Sequence, residues 1–285
     1  MSKDEALDFF NFGQTFEDTG PRNTYMKAPF MWLGSKYSYL PNIIPLLPVR
    51  KRWVDHFGGS GVVSLNYPDV ELMVFNDRYS GIVDFYRCMR DEKMMHAMLD
   101  YLNLMPAQSR EEHYRCREEW VTTTDPVERA AKWYYALQTS VIGKNHAFAR
   151  TVRTKFKFRL PPELELFERV HYKMKRFIIE NLDARTCAKD FDTIDTVHYF
   201  DPPYLGTCQG GYKHKWTSFD MQELLNLINN LQGAVALSHK DDPNIDSGVK
   251  WDEKHVFDGY SRAEVMHAGR TVSHGKVKEV LWIKH

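Results

Sequence analysis

One segment, residues 52–77, constrains the fold more than any other part of the chain. Residues 52–57 predict a short strand, and Gly-Gly-Ser-Gly at 58–61 predicts a tight turn that leads into a helix. A second apolar run, at 70–75, predicts a strand that ends near Asp77. Two strands joined through a helix pair in parallel. The segment therefore predicts an α/β sheet and the first half of a Rossmann-like nucleotide site.

The remaining pattern divides the chain into an outer and an inner part. Short apolar runs predict further strands at 176–179, 197–200, 234–238 and 279–283. Helical spacing of apolar residues predicts helices over 80–104, 126–142, 163–176 and 218–231, and residues 25–50 include a helix interrupted by prolines. We therefore expect a flexible arm over 1–24, a sheet domain built from 25–90 and 176–285, and a mostly helical insertion over 91–175.

Composition narrows the class of protein. The 285 residues are 43% hydrophobic, which suits a globular core, and no apolar run approaches the ~20 residues of a membrane helix. The cysteines have no metal-site spacing, so we expect free thiols, no metal and a cytoplasmic location. They are Cys88, Cys116, Cys187 and Cys208.

The glycine turn and Asp77 together predict a nucleoside site. Glycines let backbone approach a ligand without a Cβ in the way, and a helix N-terminus offers unpaired N–H groups. Asp77 ends the next strand, where a carboxylate can accept hydrogen bonds from ribose hydroxyls. The turn lacks the GxGxxG pattern and a following lysine, which favours a nucleoside without a bound pyrophosphate over NAD or ATP.

The run Asp-Pro-Pro-Tyr at 201–204 predicts the chemistry of the site. It follows an apolar strand, and two prolines cannot continue sheet pairing, so the chain leaves the sheet as a stiff loop. The loop presents the Asp201 carboxylate, the Pro202 carbonyl and the Tyr204 ring. These groups suit a flat base with an exocyclic amine, because two acceptors match its two N–H bonds and the ring stacks on it.

The net charge of zero conceals one basic stretch at 144–159, which has six Lys or Arg and no acid. Basic and apolar residues alternate in it, which predicts contact with DNA phosphates. The alternative is a solvated strand with its apolar side in the core. The predicted DNA-binding residues are Lys144, Arg150, Arg153, Lys155, Lys157 and Arg159.

Asp-Pro-Pro-Tyr is the hallmark of amino-group DNA methyltransferases, and the order of the other motifs resembles the Dam-type adenine-N6 enzymes. Their Trp-x-Gly-Gly-Lys signature is similar to Trp32 through Lys36, with Ser35 in place of the second glycine. Their glycine motif is similar to residues 55–66, with His56 in place of a proline. The resemblance covers about residues 28–285.

This resemblance implies an α/β fold, a Rossmann-like methyltransferase sheet with a target-recognition insertion over 91–175. It implies transfer of a methyl group from S-adenosylmethionine to the N6 amine of a flipped adenine in double-stranded DNA, and a possible cognate restriction endonuclease. The implied catalytic residues are Asp201, Pro202 and Tyr204. The implied cofactor contacts are Trp32, Lys36, Phe57, Gly58, Gly59, Gly61, Asp77, Asp183 and Asp201.

Departures from the pattern leave alternatives open. Relatives that recognise GATC commonly carry a lysine where this chain has Met31, so GATC is not assumed. Cytosine-N4 methylation suits the same loop, and an RNA substrate fits the same chemistry. A non-catalytic, cofactor-sensing DNA-binding protein is the alternative from another class.

Overall fold

The computed structural model describes residues 24–140, 147–149, 162–204, 216–260, 266–267, 270–271 and 276–285. The strands are β1 (Arg52–Asp55), β2 (Leu72–Asn76), β3 (Phe177–Glu180), β4 (Thr196–Phe200), β5 (Ala234–Lys240), β6 (Glu253–Tyr260), β7 (Met266–His267), β8 (Arg270–Thr271) and β9 (Lys276–Lys284). The helices are α1 (Leu40–Ile43), α2 (Val62–Asn66), α3 (Ser80–Arg90), α4 (Glu92–Leu104), α5 (Arg110–Glu119), α6 (Pro126–Gln138), α7 (Leu164–Met174), α8 (Ala184–Phe191), α9 (Ser218–Asn230) and α10 (Pro243–Gly248).

The main sheet has seven strands in the order β3-β2-β1-β4-β5-β9-β6. Strands β3, β2, β1, β4 and β5 are parallel, and β9 runs antiparallel to both of its neighbours. The predicted Rossmann-like methyltransferase sheet is therefore confirmed. The strand order reverses between β1 and β4, and in open α/β sheets ligands bind at such a switch point, outside the carboxyl ends of the strands.

The sheet separates two buried clusters, because side chains alternate between its faces. On β4, Tyr199 belongs to one cluster and Phe200 to the other. Trp53 of β1 stacks on Tyr67 with ring centroids 3.7 Å apart, on the Tyr199 side. In the register of these two parallel strands, Asp55 at the end of β1 lies opposite Tyr199 of β4.

The helix predicted over 80–104 is two helices, and the prediction was wrong at Asp91. This residue has extended backbone, with φ −99° and ψ 123°, and its side chain accepts the N–H of Met94. Asp91 therefore caps the second helix instead of continuing the first. The helix predicted over 126–142 ends at Gln138. Helices α5, α8 and α10 and strands β6, β7 and β8 were not predicted.

The predicted insertion packs against the sheet. Met98 of α4 and Trp133 of α6 lie in the same buried cluster as Trp53 and Phe75 of the sheet. The division of function at residue 91 stays a prediction, and residues 1–23 of the predicted arm lie outside the described residues. Among the helices that are described, none is long and apolar enough to cross a membrane.

Candidate active site

The candidate site lies at the carboxyl edge of the sheet, at the switch point between β1 and β4. The glycine turn follows β1, Asp77 follows β2 and the loop 201–204 follows β4. The N-terminal segment joins them: Ser60 Oγ donates to Ser35 Oγ at 3.0 Å. The structure thus brings the separate sequence motifs to one edge, as the parallel order requires.

The glycine turn packs too closely for side chains. An ideal Cβ at Gly58 would lie 2.2 Å from the Phe75 ring, and one at Gly61 would lie 2.5 Å from the Tyr86 hydroxyl oxygen. Gly61 also has φ +74°, which L side chains rarely adopt. Glycine is therefore required at positions 58 and 61, and the Trp32 ring lies against the turn, with its Cδ1 3.2 Å from the Cβ position of Gly59.

Asp77 fastens the end of β2 to this turn. Its carboxylate accepts the N–H of Gly59 at 2.8 Å and the N–H of Tyr79 at 2.7 Å. Burial raises the pKa of Asp77 to about 6, although these two hydrogen bonds oppose the rise. Each oxygen has made one of these bonds and retains a second lone pair.

Lys36 holds Asp201, the acid of the loop after β4. Its Nζ lies 2.6 Å from both carboxylate oxygens of Asp201. Burial raises the pKa of Asp201 to about 6, while Lys36 opposes the rise. Burial also favours the neutral amine of Lys36, but the carboxylates of Asp201 and Glu279 outweigh it and raise its pKa. The pair is therefore ionised at neutral pH.

Glu279 is a member of this cluster that sequence reasoning missed. It lies in β9, is 5% exposed, and places Oε1 3.5 Å from Lys36 Nζ. The hydroxyl of Tyr204 donates to the same oxygen. The signal in the sequence is the run Glu279-Val280-Leu281-Trp282, which resembles a segment of the Dam-type enzymes, although Glu279 was not predicted as a site residue.

A second buried cluster lies under the loop. His198 Nε2–H donates to Asp192 Oδ1 at 3.1 Å, which leaves His198 Nδ1 to accept from His56 Nε2–H at 3.0 Å. Burial lowers the pKa of both imidazoles, so they are neutral. The His56 ring stacks on Phe200 at 4.3 Å, directly before Asp201. His56 stands at the position where the resembling motif has a proline. Its hydrogen-bond partner, His198, lies in β4, far along the chain.

Asp183 and Phe57 lie beside the site with partners of their own. Asp183 caps α8 by accepting the N–H of Arg185, and forms ion pairs with Arg185 at 3.0 Å and Arg78 at 3.5 Å. The hydrogen bonds from Arg185 lower the pKa of Asp183. The Phe57 ring packs edge-on against Trp216, with centroids 5.2 Å apart. Their contacts with a cofactor stay predictions.

The predicted DNA-binding residues all lie outside the part of the chain that the structure describes. They are Lys144, Arg150, Arg153, Lys155, Lys157 and Arg159. A cavity of about 600 Å³ is lined by Arg87, Arg90 and residues 175–178. It lies at the amino end of β3, the opposite end of the strands from the glycine turn, and contains none of the predicted site residues.

The chain is similar to one protein family and to three individual proteins described below. The family described as D12 class N6 adenine-specific DNA methyltransferase matches residues 32–268. The DNA adenine methylase of Escherichia coli K12 is 27% identical over 220 residues, which cover 73% of this chain and 77% of that protein. The type II methyltransferase M.FokI of Planomicrobium okeanokoites is 25% identical, over 91% of this chain and 43% of that protein. The modification methylase StsI of Streptococcus sanguinis is 24% identical, over 73% and 34%.

Proposed function

The chain belongs to the D12 class of N6 adenine-specific DNA methyltransferases, and we propose that it takes the methyl group from S-adenosylmethionine bound at the switch point. Methyl transfer to the N6 amine of adenine in DNA is the activity of this family. The proposal concerns the cofactor and the residues of this chain that bind it and act on the base.

The donor set at the sheet edge fits S-adenosylmethionine. The glycine turn and the Trp32 ring lie together at this edge, and the free lone pairs of Asp77 suit ribose hydroxyls. Buried carboxylates nearby suit a sulfonium cation. The residues that we expect to hold the cofactor are Trp32, Lys36, Phe57, Gly58, Gly59, Gly61, Asp77, Asp183 and Asp201. When bound, it supplies a methyl group activated by the positive sulfur.

Asp201 and Pro202 act on the amine of the target base. Lys36 uses one lone pair of each Asp201 oxygen, so a second is free to accept an amine hydrogen. The Pro202 carbonyl accepts the other hydrogen. These bonds hold the nitrogen in line with the methyl group and favour the pyramidal form in which its lone pair is localised.

Tyr204 supplies the surface for a base that has left the duplex. Stacking on an aromatic ring returns about 1–3 kcal/mol per base, which offsets part of the unstacking cost. We therefore assign Tyr204 the stacking role.

One observation carries the proposal: Lys36 of the N-terminal motif bonds Asp201 across the switch point, 165 positions along the chain. The test is nucleoside mass spectrometry of unmethylated DNA incubated with the protein and S-adenosylmethionine. We expect N6-methyldeoxyadenosine with the unchanged protein and with Asp190→Ala, an exposed acid on α8. We expect none with Asp201→Ala. Methylation by Asp201→Ala would contradict the role given to Asp201.

Two further parts of the function remain predictions. The names of M.FokI and StsI support pairing of this chain with a restriction endonuclease that cuts the sequence it methylates. We also propose that the stretch 144–159 contacts the phosphates of double-stranded DNA and that the chain acts in the cytoplasm. Co-transformation with a candidate nuclease gene tests the first, because only a methylating chain protects the host DNA.

A further inference from the structure

Glu279 is the one acid of β9 buried beside the candidate site among the residues that are described. It is 5% exposed, and its carboxylate meets the Tyr204 hydroxyl and the Lys36 ammonium on one oxygen. Burying a carboxylate is costly unless it is paired and hydrogen-bonded. Both of its partners here are residues that the proposed function uses.

We propose that Glu279 is a positioning residue for methyl transfer, which sets the plane of the Tyr204 ring and the charge on Asp201. This inference rests on the proposed function. It gives the last strand a role in the reaction.

Glu279 holds the Tyr204 ring through its hydroxyl group. Its hydroxyl is tied to Glu279, the Lys36 Nζ lies 5.0 Å from its centroid, and the His239 ring lies 4.6 Å away. A hydrogen bond to an ionised acceptor is roughly twice as strong as a neutral one. The tie therefore restricts rotation of the ring, so that a base entering the site meets a surface already oriented for stacking.

Glu279 also affects the ionisation of Asp201. The Lys36 ammonium lies between two carboxylates, at 2.6 Å from Asp201 and 3.5 Å from Glu279. Burial is the main cause of the raised pKa of Asp201, and the charge of Glu279 adds to it. The titratable groups that face Glu279 are Lys36, Tyr39, Asp201, Tyr204 and His239. Removing the charge of Glu279 lowers the pH at which Asp201 becomes ionised.

Two substitutions at Glu279 separate its effect on the Tyr204 ring from its effect on the charge of Asp201. Glu279→Gln keeps an acceptor for Tyr204 and removes the charge, so we expect the acid limb of the kcat profile to move to lower pH. Glu279→Ala also removes the tie, and we expect single-turnover methylation to slow about tenfold, which corresponds to about 1.4 kcal/mol, close to the lower end of the range for a hydrogen bond to a charged group. Tyr204→Phe removes the same bond from the other side and should match it.

The double variant decides between positioning and a merely structural role. If the two residues act through one bond, Glu279→Ala with Tyr204→Phe slows the reaction about tenfold, not a hundredfold. Glu253→Gln, an exposed acid of β6, is the matched control and should leave rate and pH profile unchanged. Thermal melting of each variant reports whether it is folded.

Two results together would overturn the proposal. The rate losses of Glu279→Ala and Tyr204→Phe would multiply in the double variant, and the acid limb of kcat would not move in Glu279→Gln. If the Glu279 variants do not fold, Tyr204→Phe at the wild-type rate overturns it alone. Absence of N6-methyldeoxyadenosine with the unchanged protein contradicts the proposed function itself. If the unchanged protein methylates DNA and the Glu279 variants have the same rate and pH profile as Glu253→Gln, only the positioning role is contradicted.

Discussion

The ammonium of Lys36 lies 2.6 Å from each carboxylate oxygen of Asp201, and the lysine is 4% exposed. An ion pair this buried leaves a strongly disfavoured charge when either partner is removed. The relationship therefore connects the N-terminal motif to the protonation state of the acid that we expect to act on adenine. It joins two residues that lie 165 positions apart in the sequence.

Replacing Lys36 by methionine should shift the pH dependence of methylation. Burial already raises the pKa of Asp201 to about 6, and the lysine opposes that rise. Without the cation we expect the acid limb of kcat to move up by about 1–3 units, the usual effect of one close opposite charge. Activity at neutral pH then falls, because less Asp201 is ionised. Rates measured from pH 5 to 9 check this, and Lys36→Arg, which retains the charge, should move the limb much less.

Replacing Asp55 by asparagine should change how stability depends on pH. Asp55 accepts from Ser64 at 2.7 Å, its Oδ1 has no partner among the described residues, and burial raises its pKa to about 7. The folded state therefore binds a proton that the unfolded state has released, so Asp55 lowers stability as pH rises from about 4 to 7. Asparagine keeps an acceptor for Ser64 and removes the titration. Urea unfolding at pH 5 and pH 8 should show a smaller loss in the variant, and an equal loss would contradict the assignment.

Alanine at Gly61 should destabilise the chain more than alanine at Gly34. Both glycines have positive φ, +74° and +84°. An added Cβ at Gly61 meets the Tyr86 hydroxyl at 2.5 Å, whereas one at Gly34 meets nothing within 4 Å. The difference isolates the steric cost of overpacking, typically about 1–3 kcal/mol. Denaturant unfolding of both variants measures it, and equal losses would mean that only backbone strain matters.

Neutralising Arg153, Lys155 and Lys157 with glutamine should weaken DNA binding and flatten its salt dependence. Each phosphate contact contributes about 0.9 to the slope of log K against log salt. We expect the slope to fall by about three if all three residues touch phosphate. Glutamine at three exposed lysines elsewhere, Lys93, Lys175 and Lys189, is the matched control. An unchanged slope in the first triple variant would move the DNA contact away from 144–159.

Features that depend on near neighbours could be predicted from the amino-acid sequence alone. The glycine turn between β1 and α2 and the proline-driven exit after β4 were both correctly predicted. Turn residues and apolar periodicity act within a few positions, so they can be read from a short window. The parallel order followed from them, and with it the expectation that Asp77 and the loop 201–204 lie at one edge.

The pairing of residues that are distant in sequence depends on how the strands pack in the folded chain. Glu279 reaches Tyr204 because β9 inserts beside β5, and His56 finds His198 because β1 lies next to β4. No local pattern contains this information, because buried polar groups take whichever partners the packed strands bring within reach.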